Sequence, residues 1–205
     1  MAYPTVSAPY GLKAVNSLDG KPYAGAIRQI PIAAGFATAI FNGDTVKISG
    51  GYLVADTATN NATPCGVLVG CSYVNSSGQP VQGQYYPAAV STAANPAFAY
   101  VVDDQQALFK VALVTAGSTT IVSSTVGARS TLVGQNIALV QNVGSTTTGD
   151  SAIGATLTGA GTTATIPLRV IDVVPESAQV ISGTTYYREV LVKLNTHQYN
   201  NTTGV

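Results

Sequence analysis

The chain alternates between short apolar or alternating runs and clusters of Gly, Asn-Gly, Ser and Thr, which is the pattern of strands and turns. Ile27-Arg28-Gln29-Ile30-Pro31-Ile32 is one run, and Asp44-Thr45-Val46-Lys47-Ile48 alternates polar with apolar. Gly50-Gly51 follows and leads into Tyr52-Leu53-Val54-Ala55. Two glycines between such runs predict a two-residue hairpin, because the primed turns need positive φ. Asn42-Gly43 is a second turn signal. Residues 65–74 are nearly all apolar and predict a buried strand, paired through Ser76-Ser77-Gly78 with residues 81–86. Residues 97–102 predict another buried strand, Asp103-Asp104-Gln105-Gln106 a turn, and residues 108–114 a further strand. Residues 116–165 are rich in Ser, Thr and Gly, with apolar anchors at Ile121-Val122, residues 137–140 and Ile153, and predict short strands with long loops. The last two strands fall at residues 165–174 and 186–194; in the second, Val190, Val192 and Leu194 share the face opposite Glu189, Leu191 and Lys193.

No stretch of about ten residues keeps a helical apolar stripe with its capping residues. The expected fold is therefore all-β: a sandwich or barrel of short strands with long Gly/Ser/Thr-rich loops. It should form a single domain over residues 13–194, loop-rich at 116–165, with an extended N-terminal arm at 1–12 and a polar C-terminal tail at 195–205. Pro4 and Pro9 disfavour helix and stiffen the arm. Tyr3, Tyr10 and Leu12 give it apolar area, so Tyr3, Pro4, Pro9, Tyr10 and Leu12 are the candidate partner-contact residues.

Charge changes this picture more than hydrophobicity does. Only 9% of the 205 residues are charged, against about 25% in ordinary soluble domains. Nine basic and nine acidic side chains cancel, leaving no long-range attraction for phosphate or anionic lipid, so neither nucleic acid nor a membrane surface is an expected partner. Near-zero charge also leaves little repulsion between copies, which suits a protein that lives in an assembly. The N-terminal residues lack a basic region followed by an apolar stretch, and no run approaches the ~18 apolar residues of a membrane helix, so synthesis in the cytoplasm is expected.

Candidate chemistry is sparse. His197 is the only histidine, so any Ser-His-Asp or Cys-His arrangement must use it, and no acid lies close to it in sequence. A structural or interface role is expected instead. Asp103-Asp104 is an adjacent pair suited to capping a turn, and no D-x-[DN]-x-[DN]-G loop, phosphate-binding glycine loop or dinucleotide fingerprint occurs. Cys65 and Cys71, if on one strand, share a face about 20 Å apart, too far for a disulfide. The expectation is a protein without catalytic residues, cofactor or metal. Eleven tyrosines leave open a surface that stacks on sugars.

Several segments resemble a family of tailed-bacteriophage head decoration, or capsid cement, proteins. They are Tyr10-Gly11-Leu12-Lys13, Tyr23-Ala24-Gly25-Ala26-Ile27-Arg28 with Ile30-Pro31-Ile32, and Ile40-Phe41-Asn42-Gly43-Asp44-Thr45-Val46-Lys47. Further matches lie at Gly66-Val67-Leu68-Val69-Gly70-Cys71-Ser72-Tyr73, Gln84-Tyr85-Tyr86-Pro87, Ala99-Tyr100-Val101-Val102-Asp103-Asp104 and Val192-Lys193-Leu194-Asn195-Thr196-His197-Gln198-Tyr199. The likeness spans nearly the whole chain and is loosest over 116–165. Where the family pattern has Pro after the paired Asp, this chain has Gln105. The resemblance implies a virion structural protein that binds the outer surface of the phage capsid through its major capsid protein and reinforces it. Threefold sites between capsomers favour a homotrimer over a dimer. The alternative is a virion-surface domain that binds glycans or a host.

Overall fold

A computed structural model describes residues 7–122 and 127–200. The first half contains β1 (Lys13–Ser17), β2 (Arg28–Ile32), β3 (Thr45–Ser49), β4 (Tyr52–Ala55), β5 (Gly66–Val74), β6 (Pro80–Gly83) and β7 (Ala97–Val102). The second contains β8 (Ala107–Ala112), a single helical turn α1 (Arg129–Leu132), β9 (Asn136–Val140), β10 (Gly154–Gly161), β11 (Leu168–Val173), β12 (Ala178–Ile181), β13 (Thr184–Tyr187) and β14 (Glu189–Leu194). The fold is all-β, as the alternation predicts.

One six-stranded sheet runs β3-β4-β2-β7-β5-β6, and β3 pairs again with β5, closing five of these strands into a barrel. The long strand β5 makes closure possible. Along one edge its Gly66 and Val67 pair with β3, while Cys71 to Val74 on that edge pair with β6. The Gly50-Gly51 turn between β3 and β4 has positive φ at both glycines (57° and 84°), the primed geometry a tight hairpin needs. The other six-stranded sheet runs β1-β8-β14-β11-β9-β10. Beyond β8, Leu113 bridges Ala155 of β10, and the Val114 amide donates to the Ala155 carbonyl at 2.8 Å, curling this sheet back on itself.

Each sheet encloses its own core. Ile30, Ile32, Leu53, Leu68, Tyr86, Ala99 and Val101 fill the closed barrel. Phe109, Val111, Ile137, Leu168, Val170, Val190 and Val192 fill the second sheet, joined there by Leu12, Val67 and Val102. Val67 and Val102 thus point out of the barrel into the neighbouring core, which makes the two sheets one continuous packed unit. Strands β2 to β7 lie in sequence between β1 and β8, so the closed barrel is an insertion within the other sheet.

The structure moves several boundaries. The predicted strand at 186–194 breaks at Arg188: the Ser177 hydroxyl accepts the amides of Arg188 (3.2 Å) and Glu189 (3.1 Å), diverting both from a continuous ladder. The residues before the break join β12 in a separate two-stranded ribbon. The arm assigned to 1–12 does not extend to Leu12. Pro9 and Leu12 are buried in this chain's own fold, and Tyr10 is half-buried. The tail assigned to 195–205 is docked as far as Asn200, with His197 and Gln198 buried. Cys65 and Cys71 are both buried and free, facing the closed-barrel core. A bulge between Leu68 and Gly70 swaps the faces of β5, so simple alternation does not carry from one cysteine to the other. Among the described residues, no helix is long and apolar enough to cross a membrane.

Candidate interaction surface

Three sets of residues stand out, and the first is the junction between the two sheets. Gly11 has φ of 78°, and a Cβ there would lie 2.6 Å from the Ser151 Cβ and 2.7 Å from the Gly43 carbonyl oxygen. Only glycine fits. This close approach lets the Leu12 amide donate to the Gly43 carbonyl at 2.9 Å and the Gly11 amide to the Ile153 carbonyl at 3.0 Å. Lys13 donates to Asn42 Oδ1 at 2.7 Å and pairs with Asp150 at 3.0 Å, and Gln84 donates to the same Asp150 oxygen at 3.0 Å. Tyr85 stacks on Phe41 with ring centroids 5.3 Å apart. The Tyr10 hydroxyl donates to Glu189, whose carboxylate also faces Lys110 Nζ at 3.5 Å. Burial pushes the Tyr10 phenol pKa up, helped by that carboxylate. Beside this junction an apolar cleft of about 360 Å³ opens, walled by Phe41, Ala55, Val143 and Ile153 with Asp44 at its edge. Burial raises the Asp44 carboxyl above the usual carboxylate range.

The second set is the strap formed by the chain leaving β14. Asn195 donates its amide to the Pro167 carbonyl at 2.7 Å, and Gln198 donates its amide to the Pro64 carbonyl at 2.9 Å. The Gln198 side chain accepts from the Ile48 amide at 2.8 Å and donates to the Ile48 carbonyl at 2.9 Å, so one amide side chain completes the β3 edge as a strand would. His197 is 1% exposed. Its Nδ1 accepts from the Tyr199 amide at 3.2 Å, which puts the imidazole proton on Nε2. That Nε2 has no hydrogen-bond partner among the described residues. Burial holds the imidazole pKa below its ordinary value, against the upward pull of the Asp103 carbonyl and the Asp103 and Asp104 carboxylates. Arg28 lies over the Tyr199 ring, 4.9 Å from its centroid, and pairs with Asp103 at 2.6 Å.

The third set is an outward shelf on the closed barrel. Along β7 the small residues Ala97 and Ala99 and the branched Val101 point into the barrel, so Phe98 and Tyr100 point out. Register places Tyr100 beside Gln29 and Gly70, and Phe98 beside Pro31 and Ser72. Ser72 in turn faces Gln82 of β6. The outward positions of these four strands hold two half-buried rings, amides, a hydroxyl and prolines, and no charge.

Of the sequence-predicted contact residues, Tyr3 and Pro4 lie outside the described residues. Tyr10 and Leu12 meet at the junction and Pro9 just before them is buried, so all three belong to this chain's own packing. Phe98 and Tyr100 were not singled out by the sequence reading. The signal was present in the alternation of Ala with Phe and Tyr along β7, which puts the small and the large side chains on opposite faces of the strand. Among the described residues, His197 has no hydroxyl, thiol or carboxylate side chain as a hydrogen-bond partner, and no group of three or more His, Cys, Asp or Glu could hold a metal. Comparison of the chain with protein-family models, with curated proteins and with solved structures finds no match.

Proposed function

We propose that this protein is a non-catalytic structural component of a tailed-phage virion that binds the outer surface of the capsid and stabilises it, with the major capsid protein as its partner. The resemblance in sequence suggests the role, and the uncharged shelf on the closed barrel is the observation that carries it. A cement protein has to stay attached whatever the ionic strength outside, and charge pairs are screened over about 8–10 Å at ordinary salt. A face of Phe98, Tyr100, Pro31, Gln29 and Gln82 binds through apolar burial and neutral hydrogen bonds, which salt hardly weakens. The test is electron cryomicroscopy of heads that carry the protein, before and after a wash in ~1 M salt. Density on the outer surface at unchanged occupancy is expected; density elsewhere, or loss in the wash, overturns the reading.

A second reading draws on the same shelf. Two aromatic rings flanked by Gln29 and Gln82 also suit stacking on a neutral sugar, so a glycan-binding virion domain is the alternative. Binding of the purified protein to a panel of neutral glycans separates the two.

A further inference from the structure

We infer that the shelf around Phe98 and Tyr100 is the docking site for residues 1–6 of a second copy of this chain. The inference rests on the decoration reading only for its symmetric homo-oligomer. The shelf is preformed: β7 is held by β2 on one side and β5 on the other, and Gly70 sets no side chain against the Tyr100 ring. Phe98 and Tyr100 stand two residues apart on one face, with Pro80 and Gln82 on β6, one strand beyond β5. Aromatic-lined grooves that offer a neighbouring amide recognise proline-containing extended segments, whose fixed φ leaves little entropy to lose on binding.

The occupant is specified by chemistry and by length. Met1-Ala2-Tyr3-Pro4-Thr5-Val6 has no charged side chain and holds a Tyr-Pro pair, so it matches a shelf with no charge of its own. The fold anchors the chain from Pro9 onward, with Ser7 and Ala8 exposed. Residues 1–6 reach at most about 21 Å, with Ser7 and Ala8 adding about 7 Å from Pro9, whereas four strands spaced about 4.8 Å apart make a face under 20 Å wide. The segment is thus long enough to cross the shelf of a neighbour. The symmetric homo-oligomer of the decoration reading makes a second copy the occupant. The junction is bonded to Leu68 and Val69, close to Gly70 at this chain's own shelf, so docking within one chain is the outcome the test has to exclude. Such an exchange is head-to-tail and closes into a ring when repeated about a cyclic axis.

Self-association of the full chain, measured by sedimentation over a concentration series, tests this without a capsid. Four variants are compared: deletion of residues 1–6, Tyr3→Ala, Phe98→Ala with Tyr100→Ala, and the deletion combined with the double shelf substitution. Circular dichroism checks that each is folded. Each change should weaken association at least tenfold, and the combined variant should be no weaker than its parents, because both changes break the same contact. A peptide of residues 1–9 should bind the chain lacking residues 1–6 and lose at least tenfold in affinity on the shelf substitutions. Additive effects, or association that none of the variants alters, overturns the inference. So does a monomeric full chain that excludes the peptide while the truncated chain binds it, since the segment then docks on its own shelf. Neutral oligosaccharides that bind Phe98 and Tyr100 while association is untouched make the shelf a sugar platform and also overturn it. Failure of head binding with intact self-association would instead sink the decoration reading alone.

Discussion

At the scale of single residues, the glycine-centred segments before β1 and before β3 form a joint. Tyr10-Gly11-Leu12-Lys13 and Phe41-Asn42-Gly43-Asp44 lie some thirty positions apart in sequence and meet through the Leu12–Gly43 and Lys13–Asn42 hydrogen bonds. Gly43 then donates its amide to the Leu68 carbonyl at 2.8 Å, which adds a third segment. Leu12→Ala should therefore cost about 2–5 kcal/mol of stability, because a side chain 1% exposed leaves a cavity. Tyr10→Phe should cost about 1–3 kcal/mol by removing a donor from buried Glu189. Urea unfolding of both variants measures this; wild-type midpoints would show that the segment before Lys13 is not part of the fold. The thiols give a second check. Burial pushes the Cys65 pKa up to about 12 and that of Cys71 to about 11, so neither should react with a thiol reagent at pH 8 until the protein is unfolded. Rapid modification of the native protein would contradict their placement.

At the scale of elements, alternation and turn chemistry located most strands, and they failed where a side chain took over a backbone job. The hairpin at Gly50-Gly51 was legible because positive φ selects glycine. The break at Arg188 was not, because the hydroxyl that causes it belongs to Ser177, eleven positions earlier. The polar stretch after Leu194 looked like a free tail, since no periodicity reveals that Gln198 will complete the edge of β3. The junction shared this fate: its residue types were visible in sequence, but their meeting depends on contacts spanning most of the chain. The strap carries a pH prediction. His197 is neutral when buried and its pKa is lowered, so its contribution is fully present above the unfolded value near 6.5 and is lost as pH falls through the folded value. Asp44, whose pKa is raised, titrates in the opposite sense, so the comparison must be internal. Wild type should lose stability relative to His197→Gln between pH 7.5 and 5, read as the gap between their urea midpoints. A gap that stays constant would mean that folding leaves the His197 pKa unchanged.

At the scale of the whole molecule, the arrangement is two β cores held together by a junction at one chain segment and a strap at another. Circular dichroism should show a strand-dominated spectrum, and a helical fraction above one-quarter would contradict the fold. Because Val67 and Val102 of the closed barrel sit in the neighbouring core, the two should melt in one cooperative transition, measured by calorimetry. Two resolved peaks would mean that the shared core does not couple them. The insertion of the closed barrel between β1 and β8 has a further consequence, for synthesis. Every strand of that barrel has left the ribosome once residue 102 is out, whereas the sheet around it then owns one strand and waits for five more, the last ending at Leu194. Domains fold as units in the order they emerge. The inserted barrel is thus born first and serves as the template on which the surrounding sheet is completed, with β1 parked until β8 arrives. A nascent chain stalled just past that point should already protect residues 28–102 from protease while Lys13 to Ser17 stay open to cleavage.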